Sequence, residues 1–339
     1  MISKNEIAQH HGQPIIKYTI QNDNGVRLSA LNYGCIITEW ITPDKDGQKE
    51  NIVLGYDDFS RYLTDSPYFG AIVGRFAGRI ENAAFTLENE TYTLAKNDGE
   101  NSLHGGEQGF DKRIWTVTET GNTLMFNLTS PHLEEGFPGE LNIQVSYTLT
   151  NNDELKISYE ATTDRKTIIN LTNHTYFNLT GTLDSVLGHE LQIPADAYLP
   201  LTENLIPTGE KRNVGGTAFD FQKPKKLADA LDLQDEQIKI GGNGYDHPFL
   251  LNKGIIQLSE PSSRRRLVIE TDQPAVVFYA GNHLGAEGEM RGQKIKPHSG
   301  MCLETQGLPN AVNEPSFPTC ELSPGEKYSS ETVYRLTTY

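Results

Sequence analysis

Apolar and polar residues alternate in twos through most of this chain, and an apolar repeat of 3.6 residues persists beyond ten positions almost nowhere. Alternation in twos sends successive side chains to opposite faces of an extended strand, so the pattern predicts an all-β protein. The segments TLMFNLT, LNIQVSYTLT and LKISYEATT read as a meander, with Asn151, Asn152 and Asp153 as the turn between the last two. Residues 26–43 read as two strands meeting near Gly34, NIVLGY as another strand, and FTLENETYTL as a hairpin. Only DDFSRYL and TAFDFQKPKKLADALD suggest helices, both short.

A length of 339 residues is compatible with two domains at about 150 residues each, or with one large all-β unit. No linker, composition shift or internal repeat divides the chain, which favours a single domain over residues 1–339, built as a large antiparallel β-sandwich. Asp and Glu number 45 against 29 Lys and Arg, and the resulting net charge of −16 repels nucleic-acid phosphates and anionic membranes. Three cysteines without CxxC spacing read as free thiols of a reducing compartment. The N-terminal stretch lacks the apolar core of a signal peptide and no apolar run is long enough to span a bilayer, so a cytoplasmic location is expected.

The chemistry concentrates in a few segments. In NLTNHTYFNLTG, residues 170–181, a continuous strand would set His174, Tyr176 and Asn178 on one face, with Thr175, Phe177 and Leu179 on the other. A histidine among polar neighbours suits acid–base work, and it equally suits a hydrogen-bonded structural role. In MCLETQG, Glu304 shares a face with Cys302 and Gln306 inside an apolar strand, where a carboxylate needs a partner or a use. Asp246 in GYDHPF fits a loop-capping aspartate or a ligand contact, Arg79 in GRFAGRI an ion pair or a polyhydroxylated ligand, and His104 in the Gly-rich loop 96–110 either role. No short histidine pairing marks a metal site, and GxSxG and GxxxxGK[ST] are absent from the sequence. Cofactor-free acid–base chemistry is the class left standing.

Taken together, NYGCIITEW, VLGYDDFSRYL, PYFGAIVGRFAGRI, NSLHGG, GFDKRIW, GFPGELNIQVSYTL, NLTNHTYFNLTG, IPTGE, TAFDF, GYDHPF, TDQPAVVFYAGN and CLETQGLPNAVN resemble, in order and spacing, the aldose 1-epimerases, also called galactose mutarotases. The resemblance implies a galactose mutarotase-like supersandwich with an open sugar cleft, a free aldohexose such as galactose or glucose as substrate, and neither metal nor organic cofactor. It gives Glu304 the part of general base and His174 that of general acid. Arg79, His104, Asp246 and Tyr279 become sugar contacts, with Asn173 and Tyr176 candidates to support His174. A monomer or homodimer is expected, with no nucleic-acid or membrane partner. One departure stands out: Gly78 occupies a place where many members carry Asn, so a hydrogen bond to the sugar is expected to be missing or rerouted.

The acid–base reading expects Glu304 ionised and His174 protonated, each charge favouring the other. Three rival classes remain open on the sequence. A glycoside hydrolase or lyase would use Asp246 and Glu304 as a carboxylate pair. A sugar-binding module would bind without catalysis. A hexose-phosphate epimerase would want a second arginine at the cleft, for which Arg75 is the nearest candidate.

Overall fold

Strands pair antiparallel throughout the three main sheets of this computed structural model, which describes residues 1–64, 66–286 and 288–339. The first sheet is a five-stranded meander of Ile2–His10, Gln13–Gln21, Arg27–Leu31, Ile37–Pro43 and Lys49–Asn51. The second has nine strands and contains the expected meander of Thr123–Ser130, Leu141–Leu149 and Glu154–Thr163. In Leu141–Leu149 each odd-numbered residue is buried, and Leu141 pairs with Thr163 while Leu149 pairs with Leu155. A slip of one residue would turn Ile143 and Val145 out to water, at about 1.5–3 kcal/mol for each, so the register is firmly set. The far strand Tyr328–Thr338 then inserts between Glu154–Thr163 and Arg265–Thr271.

The third sheet has six strands, ordered Tyr176–Phe177, Met301–Gln306, Ala275–Tyr279, Asp246–Leu251, Ala195–Tyr198 and Arg212–Asn213. One apolar cluster joins all three sheets, drawing Leu28 and Trp40 from the first, Val145 and Ile157 from the second, and Phe278 and Leu303 from the third. Thr305, on the same face as Leu303, meets Thr332 of the nine-stranded sheet at 2.7 Å between hydroxyls. That face of Met301–Gln306 is core, which leaves the opposite face, with Cys302, Glu304 and Gln306, free to build a site.

Local departures from the sequence reading have physical causes. The run NIVLGY is strand only at its start, because Lys49–Asn51 ends at Asn51; beyond it Ile52 donates to Trp40 and Leu54 to Tyr176, threading the core between sheets. Residues 170–181 are not one strand. Thr172–Asn173 pairs with Ile72–Val73 and Tyr176–Phe177 with Met301–Cys302, so the chain changes partners at His174 and Thr175. The DDFSRYL helix is the 3₁₀ turn Phe59–Leu63, capped by the Asp58 side chain. Leu227–Ala230 falls within the second expected helix. A further short helix, Glu236–Ile240, is capped by Asp235; at five residues it is too short to print a period on the sequence. Among the described residues no helix is long and apolar enough to cross a membrane.

Candidate active site

Cross-strand register in the six-stranded sheet assembles the floor of a pocket. Tyr176 lies opposite Cys302, Cys302 opposite Tyr279, and Tyr279 opposite Asp246, so these four residues form one row across four strands. The next row on the same face runs Glu304, Val277, Pro248. Side chains two apart on a strand share a face, so the alternation that builds the core also delivers the site. The wall comes from the segment after the glycine-rich run, where Arg79 pairs with Leu103 and thereby brings Arg79 beside His104. These elements enclose a cavity of about 180 Å³.

All six residues singled out in the sequence line this cavity: Arg79, His104, His174, Asp246, Tyr279 and Glu304. His174 Nε2 stands 3.5 Å from Glu304 Oε1, and both side chains are almost fully buried. The expected alternation places His174 and Tyr176 in the pocket, but Asn178 is diverted to donate to the carbonyls of Asp184 and Ser299. Asn173 does not support the imidazole. Its amide donates to Gly70 O and to the Tyr147 hydroxyl, bracing the backbone instead. Tyr176 does pack on the His174 ring, at 5.1 Å between centroids. Asp246 opens a strand rather than capping a loop, and its carboxylate faces Arg79 Nη1 at 3.9 Å.

Burial reverses the expected protonation order in this substrate-free pocket. Desolvation pulls His174 down to about 4, against a smaller upward pull from its own backbone carbonyl. Desolvation, aided by the negative charge of Asp246 and opposed by Arg79, pushes the Glu304 carboxyl well above the usual range. Asp246 is also raised by burial, with Arg79 opposing. Burial therefore favours the uncharged pair, a protonated Glu304 facing a neutral His174, over the ion pair. This form and the ion pair hold the same number of protons and differ only in which partner carries one.

His104 is held from two sides by Gly78: its backbone N–H donates to Gly78 O at 3.1 Å, and Gly78 N–H donates to its Nδ1 at 3.1 Å. With Nδ1 an acceptor and desolvation keeping the ring neutral, the proton sits on Nε2 and His104 is a fixed donor. His104, His174 and Glu304 bring ligand-type atoms within 4.8 Å of one another, yet a metal would need the lone pair that this proton occupies. Gly78 itself adopts φ +81°, and a Cβ there would lie 2.8 Å from Pro309 Cβ. The glycine lets the Pro309 ring close on the pocket wall, so an apolar surface stands where the frequent asparagine would offer an amide.

Sequence reasoning missed several contributors. Asp98 binds Arg79 Nε at 2.7 Å and so orients the guanidinium; its setting in Asn97-Asp98-Gly99 is already explained by turn chemistry, which hides the second role. Gln306, read onto the face of Glu304 but given no role, lines the cavity with Oε1 buried and without a partner among the described residues. Tyr68 packs against both His104 and His174. Arg75 does not reach the pocket lining. Its guanidinium donates to the carbonyls of Ser130, Pro131, Pro138 and Gly139, so among the described residues Arg75 is not the second arginine that a phosphorylated substrate would want.

Known proteins resemble the chain over nearly its whole length. The chain is 45% identical over 327 residues to the galactose mutarotase of Sus scrofa, covering 94% of this chain and 93% of that one. It is 37% identical over 345 residues to the aldose 1-epimerase of Escherichia coli K12, covering 99% of each. Among solved structures, galactose 1-epimerase from Lactobacillus acidophilus superimposes with a TM-score of 0.88 at 33% identity, over 100% of this chain and 99% of that one. An aldose epimerase homologue from C. elegans gives the same TM-score at 30% identity, over 94% and 98%. The profile of the aldose 1-epimerase family matches residues 17–335, and with relatives of this identity and coverage the chain belongs to that family, an isomerase of the epimerase class.

Proposed function

We propose that this isomerase interconverts the α and β anomers of free aldohexoses such as galactose and glucose, with Glu304 and His174 as its acid–base pair. The observation that carries the reading is the 3.5 Å approach of His174 Nε2 to Glu304 Oε1 inside a cavity also lined by Arg79, His104 and Asp246. Anomerisation removes a proton from the anomeric hydroxyl and adds one to the ring oxygen, breaking the bond from C1 to the ring oxygen and leaving an aldehyde. Half a turn about the C1–C2 bond presents the other carbonyl face, and the two proton transfers reverse on closure. A pair holding one exchangeable proton supplies one donor and one acceptor, which is what each half-reaction requires.

In the working form Glu304 accepts from the hydroxyl and His174 donates to the ring oxygen, so the resting proton passes from the Glu304 carboxyl to Nε2 before chemistry. Arg79, held by Asp98, together with the donor Nε2–H of His104 and the carboxyl of Asp246, fixes the other hydroxyls while C1 turns. Tyr279 flanks them from the sheet. The test is polarimetry of freshly dissolved α-glucose and α-galactose with the protein added. The expected result is a faster approach to an unchanged final rotation. Approach at the spontaneous rate with both sugars would overturn the proposal.

A further inference from the structure

Strand Met301–Gln306 puts one more polar side chain on the pocket face, two residues beyond Glu304. Gln306 is 1% exposed and lines the cavity. Its Nε2 donates to Gly307 O at 3.1 Å, and a carbonyl oxygen only accepts, so the amide cannot be turned over without setting two acceptors against each other. Gly307 is itself held fast: Asn170 Nδ2 donates to the same carbonyl at 3.2 Å, and Gly307 N–H donates to Asn170 Oδ1 at 2.8 Å. Asn170 Nδ2 also donates to Ala77 O at 3.0 Å, tying this end of the strand to the segment that carries Arg79. Gln306 Oε1 is thus a fixed acceptor, buried and without a donor among the described residues. Leaving such an atom unpaired costs free energy, so it calls for a partner.

We infer that Gln306 is a further substrate-binding residue, whose Oε1 accepts a hydrogen bond from a hydroxyl on the C2–C3 edge of the sugar ring. That Oε1 is an acceptor in want of a donor stands on the hydrogen-bond geometry alone; the edge of the ring it meets rests on the acid–base reading above. His174 lies toward Cys302, with Nδ1 3.5 Å from Cys302 Sγ, and Gln306 lies on the other side of Glu304 along the same strand. At C1 the ring oxygen is one neighbour and C2 the other. With Glu304 at the anomeric hydroxyl and His174 at the ring oxygen, C2 and C3 fall to the Gln306 side. Two residues advance an extended strand by roughly 7 Å, a step comparable with the width of a pyranose ring. The division of roles is chemically complete. Arg79 and the Nε2–H of His104 are donors that take up lone pairs of the sugar, which leaves hydroxyl protons to be received, and Oε1 receives one of them. A buried acceptor also selects: a sugar lacking the matching hydroxyl leaves Oε1 unpaired and is bound less well.

The experiment measures dissociation constants by calorimetry and kcat/KM by polarimetry for wild type, Gln306→Met and Gln306→Glu, with glucose and its 2-, 3-, 4- and 6-deoxy derivatives. Gln306→Met keeps the length of the side chain and removes the acceptor. It is expected to weaken glucose binding and to lower kcat/KM by about tenfold, the size of one buried hydrogen bond. With either the 2-deoxy or the 3-deoxy sugar, whichever lacks the hydroxyl that Oε1 receives, the same substitution is expected to cost less than about twofold, because the contact is already gone. The 4-deoxy and 6-deoxy sugars are expected to show the full loss. Gln306→Glu, once its carboxyl is protonated, donates to Gly307 O and keeps an acceptor in place of Oε1, so its affinity for glucose is expected to approach that of wild type as pH is lowered. An equal loss for every sugar, no loss for any, or a coupling to the 4- or 6-hydroxyl overturns the inference. Should the protein bind these sugars without speeding mutarotation, the acid–base reading falls, and the dissociation constants still decide whether Oε1 holds a hydroxyl.

Discussion

Replacing His174 by Asn probes the pocket twice, once through stability and once through rate. Burial holds the imidazole at about 4 in the folded protein, against 6.5 in an unfolded chain. At about 1.36 kcal/mol per pH unit, this gap amounts to roughly 3.4 kcal/mol. For the sign, between pH 6.5 and 4 the unfolded chain binds a proton at this position and the folded protein does not, so stability falls as pH falls through that window and is level above it. At pH 5 the loss attributable to His174 is about 2 kcal/mol. Asparagine cannot titrate, so the difference between variant and wild type should shift in the variant's favour by about 2 kcal/mol between pH 7.5 and 5, whatever constant cost the substitution carries. Urea unfolding at a series of pH values measures this directly. Polarimetry on the same samples should show a loss of about 10² to 10⁴ in rate, the share of one acid–base arm. A stability difference that stays flat from pH 7.5 to 5 would refute the claim that His174 rests neutral, and a near-wild-type rate would remove it from the chemistry.

Asp98→Asn leaves the pocket lining in place but loosens the hold on Arg79 Nε; KM for the aldose should rise about tenfold with a smaller change in kcat, read by polarimetry across sugar concentrations. Gly78→Ala forces a side chain onto φ +81° and against Pro309, and should cost about 1–3 kcal/mol in urea unfolding while raising KM. Arg75→Met strands several buried carbonyls and should destabilise by about 3 kcal/mol or more, yet KM of the surviving folded fraction should hold, because the guanidinium does not line the pocket. Burial also holds His189 at about 4 and His247 at about 3, so each contributes stability that is lost as pH falls below 6.5; the unfolding free energy of His247→Gln relative to wild type should therefore shift in the variant's favour between pH 7.5 and 5, read by urea unfolding.

Much of the site was legible because period two governs both core and pocket. Reading Glu304 onto the face opposite Leu303 needs only the pleat, and the structure puts Leu303 in the core and Glu304 in the cavity. The meander from 123 to 163 was legible for the same reason, with a turn of Asn and Asp between strands of clean alternation. What stayed hidden depends on pairing across long distances. The break at His174 and Thr175 follows from two different partner strands, Ile72–Val73 and Met301–Cys302, and nothing within residues 170–181 announces a change of partner. Asp98 was hidden because a turn already accounts for an aspartate before glycine. The protonation order failed for a related reason: composition shows which charges exist, while burial on every side of His174 and Glu304, a product of the closed fold, decides whether they are charges at all.

The insertion of Tyr328–Thr338 between Glu154–Thr163 and Arg265–Thr271 bears on how the protein is born. Both neighbours leave the ribosome before the strand that joins them, and until it arrives each presents an open edge to any other extended chain. Glu304 leaves late as well, while Arg79 and His104 are made early and must wait for it. The pocket is therefore complete only after its last strands are made, following pairings nearly two hundred residues apart in sequence, and a chain dominated by such distant contacts gathers itself slowly. During that interval the unjoined edges are where a nascent copy is most exposed to capture by its neighbours.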